Sequence, residues 1–114
     1  MPAPSAYPIF DDWYRTCDWI LQVCDRMPKH TRFTLNGRII NTALDITALI
    51  TEAIYTRERE QLLQRVNLLL EQLRVLFRIS YDRRYINSRQ YEFVCEGLNR
   101  CGKMAGGWIK NTQP

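Results

Sequence analysis

The sequence predicts an all-α fold, an antiparallel up-down-up-down four-helix bundle. Apolar residues recur at 3.6-residue spacing in four separate stretches. The links between those stretches are short, roughly 3–8 residues, which favours antiparallel neighbours. No strand pattern, internal repeat or low-complexity segment interrupts them. At 114 residues and 46% hydrophobic the chain has material for a single core. Residues 1–8, with three of the five prolines, are expected to be a flexible arm, residues 9–110 the bundle and residues 111–114 a tail.

The first helix is expected over about 9–26. Ile9, Trp13, Cys17, Ile20, Leu21, Cys24 and Met27 form one stripe, and Asp11, Arg15, Asp18, Gln22 and Asp25 the opposite side. Met27-Pro28 ends it, because a residue before proline avoids the α region. The second helix, about 32–55, has Leu35, Ile39, Ala43, Ile46, Leu49, Ile50 and Ala53 on its apolar face, with Thr31 or Thr34 as cap. Gly37 costs about 1 kcal/mol relative to alanine there, which hints at close packing. The third, about 57–80 with Thr56 as N-cap, presents Leu62, Leu63, Val66, Leu69, Leu70, Leu73, Leu76 and Phe77. The fourth, about 88–106, opens with a capping box in which Asn87 caps and Gln90 reaches back. Tyr91, Val94, Cys95, Leu98, Cys101 and Ala105 are its apolar side, and Gly106-Gly107 is expected to weaken or end it.

Charge is unevenly spread. Thirteen arginines, three lysines and one histidine occur; residues 1–55 hold five basic and six acidic side chains, residues 56–114 eleven and six. Arginine's planar, permanently charged fork suits two-point contacts with phosphate or carboxylate. Around the third link, Arg78, Arg83, Arg84 and Arg89 interleave with Tyr81 and Tyr85. Arginines can hold phosphates while aromatic rings stack on unpaired bases. The plainer reading is capping charge at a helix C-terminus. Leu68 and Val75, spaced i, i+7, and Trp19 fall outside the core stripes, and contiguous apolar surface of that kind marks a partner.

Catalysis has no candidate residues. His30, the single histidine, lies in a turn segment with no cysteine or serine at a diagnostic spacing. Phosphate-binding glycine loops and Glu-x-x-His metal pairs are missing. Cys17, Cys24, Cys95 and Cys101 include no C-x-x-C pair and read as buried apolar groups. No run approaches the length of a membrane helix, and the N-terminus lacks a secretory pattern, so the expectation is a cytoplasmic protein without cofactor or metal.

Four segments carry a resemblance. Residues 67–78, NLLLEQLRVLFR, and 102–110, GKMAGGWIK, resemble the accessory variability determinant (Avd) family of diversity-generating retroelements, as do residues 32–39, RFTLNGRI, and 50–57, ITEAIYTR. The likeness extends over about residues 9–110 and to four-helix-bundle proteins encoded by intervening sequences of ribosomal RNA. It implies a non-enzymatic, homopentameric partner of a retroelement reverse transcriptase, binding that enzyme and the retroelement RNA and cDNA. The motif matches are Arg74, Arg78, Gly102, Gly106, Gly107 and Trp108, of which Trp108 and the glycines read as packing residues. Ala105 departs from the pattern, standing where a larger aliphatic is usual.

The expected function is therefore an Avd-like binding scaffold. Arg65, Arg74, Arg78, Arg83, Arg84, Arg89, Arg100 and Lys103 are expected to face RNA, cDNA or the reverse transcriptase, and Trp19, Leu68 and Val75 to lie at an oligomer interface. One alternative is an oligomeric scaffold that binds protein only, its arginines serving interface salt bridges. Another is a small metal-binding bundle enzyme.

Overall fold

The computed structural model describes residues 4–112 of the protein. Its four α-helices are α1 (Pro8–Asp25), α2 (Leu35–Ile54), α3 (Glu60–Asp82) and α4 (Ser88–Thr112), with no strand among the described residues. α1 packs on α2 and α4, and α3 packs on the same two. The result is a rod of 46 × 20 × 20 Å. Contacts pair the start of one helix with the end of the next. Asn36, early in α2, donates its side-chain N–H to the Cys24 carbonyl, late in α1, at 2.7 Å. Tyr81 at the end of α3 stacks on Tyr91 at the start of α4, and Asp12, early in α1, meets Arg100 of α4. These pairings are those of antiparallel neighbours and fit the up-down-up-down order.

The core is largely the predicted stripes turned inward, although Leu21 stays half-buried outside it while Val23 and Ile54, placed on no stripe, are buried. Trp13, Ile20, Ile39, Ile46, Ile50, Leu63, Val66, Leu70, Leu73, Phe77 and Leu98 are all but excluded from solvent. Trp13 keeps its polar handle satisfied by donating Nε1–H to Thr47 Oγ1 at 3.0 Å. The four cysteines are free thiols; Cys17, Cys24 and Cys101 are buried and Cys95 half-buried. Burial pushes the Cys24 and Cys101 thiols up to about 12.

Helix ends differ from the sequence expectation in instructive ways. α1 starts one residue earlier, at Pro8, whose preset φ and missing N–H suit a first turn. α2 starts at Leu35, not 32; Thr34 holds the N-cap position, but neither threonine gives it a side-chain cap bond. The Thr31 hydroxyl donates to the Pro28 carbonyl at 2.7 Å, and that of Thr34 to the Thr31 carbonyl at 3.4 Å, so both serve the preceding turn. Gly37 does mark close packing: a Cβ there would sit 2.7 Å from the Arg32 carbonyl oxygen. α3 starts at Glu60; Arg59, not Thr56, precedes it and donates Nε–H back to the Thr56 carbonyl at 3.0 Å. The capping box of α4 forms as expected, with both Asn87–Gln90 bonds at 2.8 Å.

The main correction is at Gly106-Gly107, which do not end α4; it continues to Thr112. Two helical glycines cost about 2 kcal/mol relative to alanines. Beyond them Trp108 packs against Tyr7, rings tilted by 31° with centroids 5.4 Å apart, and lies under the Arg59 guanidinium at 4.8 Å, and Trp108 and Ile109 both pack against the core. Burial of these apolar side chains opposes that cost. Of the expected arm, residues 1–3 lie outside the described residues, while Pro4–Ala6 form a short 3-10 turn and Tyr7 packs on Trp108. Of the expected tail, residues 113–114 lie outside them.

Candidate nucleic-acid interface

The first and third links meet at one end of the rod. α3 closes with a Schellman arrangement: the Tyr85 N–H bonds the Ser80 carbonyl at 2.8 Å, and the Arg84 N–H bonds the Tyr81 carbonyl at 2.9 Å. Arg84 holds the left-handed position, φ 63°, that glycine usually fills. Ile86 plugs into the core behind it. Arg83 and Arg84 are thus fixed on a tight turn, and Arg89 follows in the first turn of α4.

The opposing link is built as firmly. Met27 and Thr31 are buried, Lys29–Thr31 form a 3-10 turn, and Asn36 ties the following helix back to Cys24. His30 reaches across to Tyr85, with Nε2 3.2 Å from the phenolic oxygen and the rings edge to face at 5.8 Å. This contact joins residues far apart in sequence and gathers Arg26, Lys29 and Arg32 with Arg83, Arg84 and Arg89. All six are exposed, and none forms an ion pair within the chain among the described residues. Nearby acids are Asp25 and Asp82, and Asp82 is engaged by Arg78 at 3.2 Å. A cleft lined by Tyr81, Arg84, Tyr85, Asn87 and Gln90 opens beside the turn.

The other predicted cations do not all share this end. Arg74 donates to Asn99 Oδ1 at 2.7 Å and meets Glu71 at 3.4 Å, beside Lys103 on a shallow cleft between α3 and α4. Arg78 sits between that cleft and the end turn; its hydrogen bond to Asp82 holds its guanidinium above the ordinary pKa. Arg100 faces α1 instead, 3.1 Å from Asp12. Arg65 is exposed near the start of α3, roughly 28 Å from Arg84 by helical rise. Three of the eight predicted cations, Arg74, Arg78 and Arg100, therefore already face the chain's own carboxylates.

The aromatic residues are also arranged differently. Tyr81 lies flat on Tyr91, centroids 4.9 Å apart and 9° between planes, and Tyr85 is half-buried under Arg83 and against His30. Phe33, in the first link, is 93% exposed. The sequence reading passed over Lys29, Arg32 and Phe33, although the expected topology contains the signal: in an up-down-up-down bundle the first and third links fall at the same end.

The apolar candidates divide. Trp19 has an intramolecular partner, Phe93, at 4.9 Å. Leu68 and Val75 are 51% and 58% exposed, and Ile79 one turn on adds to the same outward stripe of α3. At the opposite end of the rod Trp108, Met104, Gly107, Tyr7 and Ile9 line an apolar cleft of about 350 Å³. Gly106 and Gly107 meet nothing that a Cβ would strike, so packing within the chain does not require them to be glycine.

A family model described as bAvd-like matches residues 9–112, nearly the whole bundle. The chain belongs to the bAvd-like family. No curated protein matches it. The matched span of this bAvd-like chain includes both links of the cationic end, the α3 stripe and the α4 segment through Trp108. Among the described residues no three histidine, cysteine, aspartate or glutamate side chains gather in a manner that could hold a metal, and no helix is long and apolar enough to cross a membrane.

Proposed function

We propose that this bAvd-like chain is a non-enzymatic accessory protein of a diversity-generating retroelement, holding the reverse transcriptase and the retroelement RNA and cDNA together during mutagenic synthesis. The observation that carries this reading is the cluster of six unpaired basic side chains at one end of a bundle whose whole length matches the family. Permanent charge on a stiff frame binds a phosphate backbone without covalent chemistry, and each phosphate neutralised releases counterions. Arg83, Arg84 and Arg89 are the core of the nucleic-acid surface, Arg74 and Lys103 extend it along the α3–α4 cleft, and Arg65 and Arg100 are left for the polymerase. The Leu68, Val75 and Ile79 stripe is the self-association surface of a homo-oligomer, a pentamer by family likeness.

Affinity for the retroelement RNA, measured by gel shift across a salt series, should fall with a log–log slope of about −3.5 if five phosphates are neutralised. Replacing Arg83 and Arg84 together by alanine should flatten that slope and leave helicity intact. A flat salt response, with reverse transcriptase still co-purifying, would favour the protein-only scaffold, which the internal pairing of Arg74, Arg78 and Arg100 supports.

A further inference from the structure

We infer that the cationic end takes an unpaired stretch of RNA, and that Phe33 is the surface on which one of its bases stacks. The inference rests on the proposed RNA binding and specifies its substrate. Of the rings at this end, Tyr81 has one face covered by Tyr91, and Tyr85 is wedged between His30 and Arg83. Neither has both faces open. Phe33 does: it is 93% exposed and makes no ring contact among the described residues.

Its setting argues against accident. The link that carries it is stiff, with successive backbone bonds from Thr31 to Pro28, Arg32 to Lys29 and Thr34 to Thr31, closing against Gly37 where no side chain would fit. A ring presented on a preformed turn loses little entropy when a base stacks on it. Lys29 and Arg32 precede it in sequence, and the His30–Tyr85 contact brings Arg83 and Arg84 to the same end, where they can hold neighbouring phosphates. So many cations around an apolar ring suit a polyanion better than an apolar pocket on a protein, whose interface core is depleted in charge. Duplex RNA offers no base face, because its bases are stacked inward. The cations therefore give affinity for any RNA, and Phe33 gives the preference for single strands.

The test uses the full chain, a fluorescently labelled single-stranded RNA and the same RNA annealed to its complement. Phe33→Ala should leave the melting temperature unchanged, since the ring packs on nothing. It should weaken single-strand binding by about fivefold or more, the loss of one base–aromatic stack, and leave duplex binding alone. Phe33→Trp should bind the single strand as well as the unaltered chain, and Phe33→Leu as poorly as the alanine variant. Full binding by the leucine variant would overturn the inference, because the contact would then need bulk and not a ring. Unchanged binding by the alanine variant, while the Arg83→Ala, Arg84→Ala double variant still loses affinity, would overturn the inference and leave the proposed function standing. If the unaltered chain binds neither RNA, both fall.

Discussion

Arg84 occupies a backbone region that costs a residue with a Cβ about 1 kcal/mol or more, in a helix ending where glycine is the usual solution. Nothing in the folding of the bundle asks for arginine there. Arg84→Gly should raise the unfolding free energy by about 1 kcal/mol, seen as a higher melting temperature, while weakening RNA binding in the same preparation. Opposite signs in the two measurements would show that the local strain is retained for the ligand. Gly97 is the converse case. A Cβ there would lie 2.8 Å from the Thr16 methyl of α1, so Gly97→Ala should destabilise by about 1–3 kcal/mol in denaturant unfolding. The buried thiols make a third expectation. Cys24 and Cys101 hold their protons to about pH 12 in the folded chain and lose them near the ordinary 9.0 when unfolded. Between those values the unfolded chain binds fewer protons, so stability is intact below pH 9 and declines as pH rises toward 12. At neutral pH a thiol reagent should label Cys95 first, and all four cysteines only after unfolding.

Where helix signals were local, the sequence stated them. The Asn87–Gln90 box formed because both partners lie within one turn, and the apolar stripes turned inward because 3.6-residue spacing needs no tertiary knowledge. The ends that were misjudged depend on distant residues. The continuation of α4 through Gly106-Gly107 hangs on Tyr7 and Arg59 gripping Trp108, one from the segment before α1 and the other from the link before α3. Trp108→Ala should therefore release the last turns, with amides beyond Gly106 exchanging faster while those of the α4 midsection stay protected. The candidate site divides in the same way. Arg83, Arg84 and Arg89 were legible from their crowding in one link, whereas Lys29, Arg32 and Phe33 joined them only through a His30–Tyr85 contact between two links.

The molecule as a whole separates its surfaces by direction. One end of the rod is cationic, the other holds an apolar cleft, and the outward flank of α3 carries Leu68, Val75 and Ile79. If that flank is the proposed self-association surface, Leu68→Asp with Val75→Asp should give monomers in light scattering while the circular dichroism spectrum is kept, because both side chains are exposed. The shape of the rod bears on the proposed ring. In the ring proposed above, an apolar strip along the long side of a 46 Å rod would let copies stand shoulder to shoulder, rotated about a common axis, with none of them capping its neighbour's tip. Every tip then faces the same way, and weak grips that one subunit exerts singly become a crown that a flexible polymer can thread around, leaving one prong without leaving the rest.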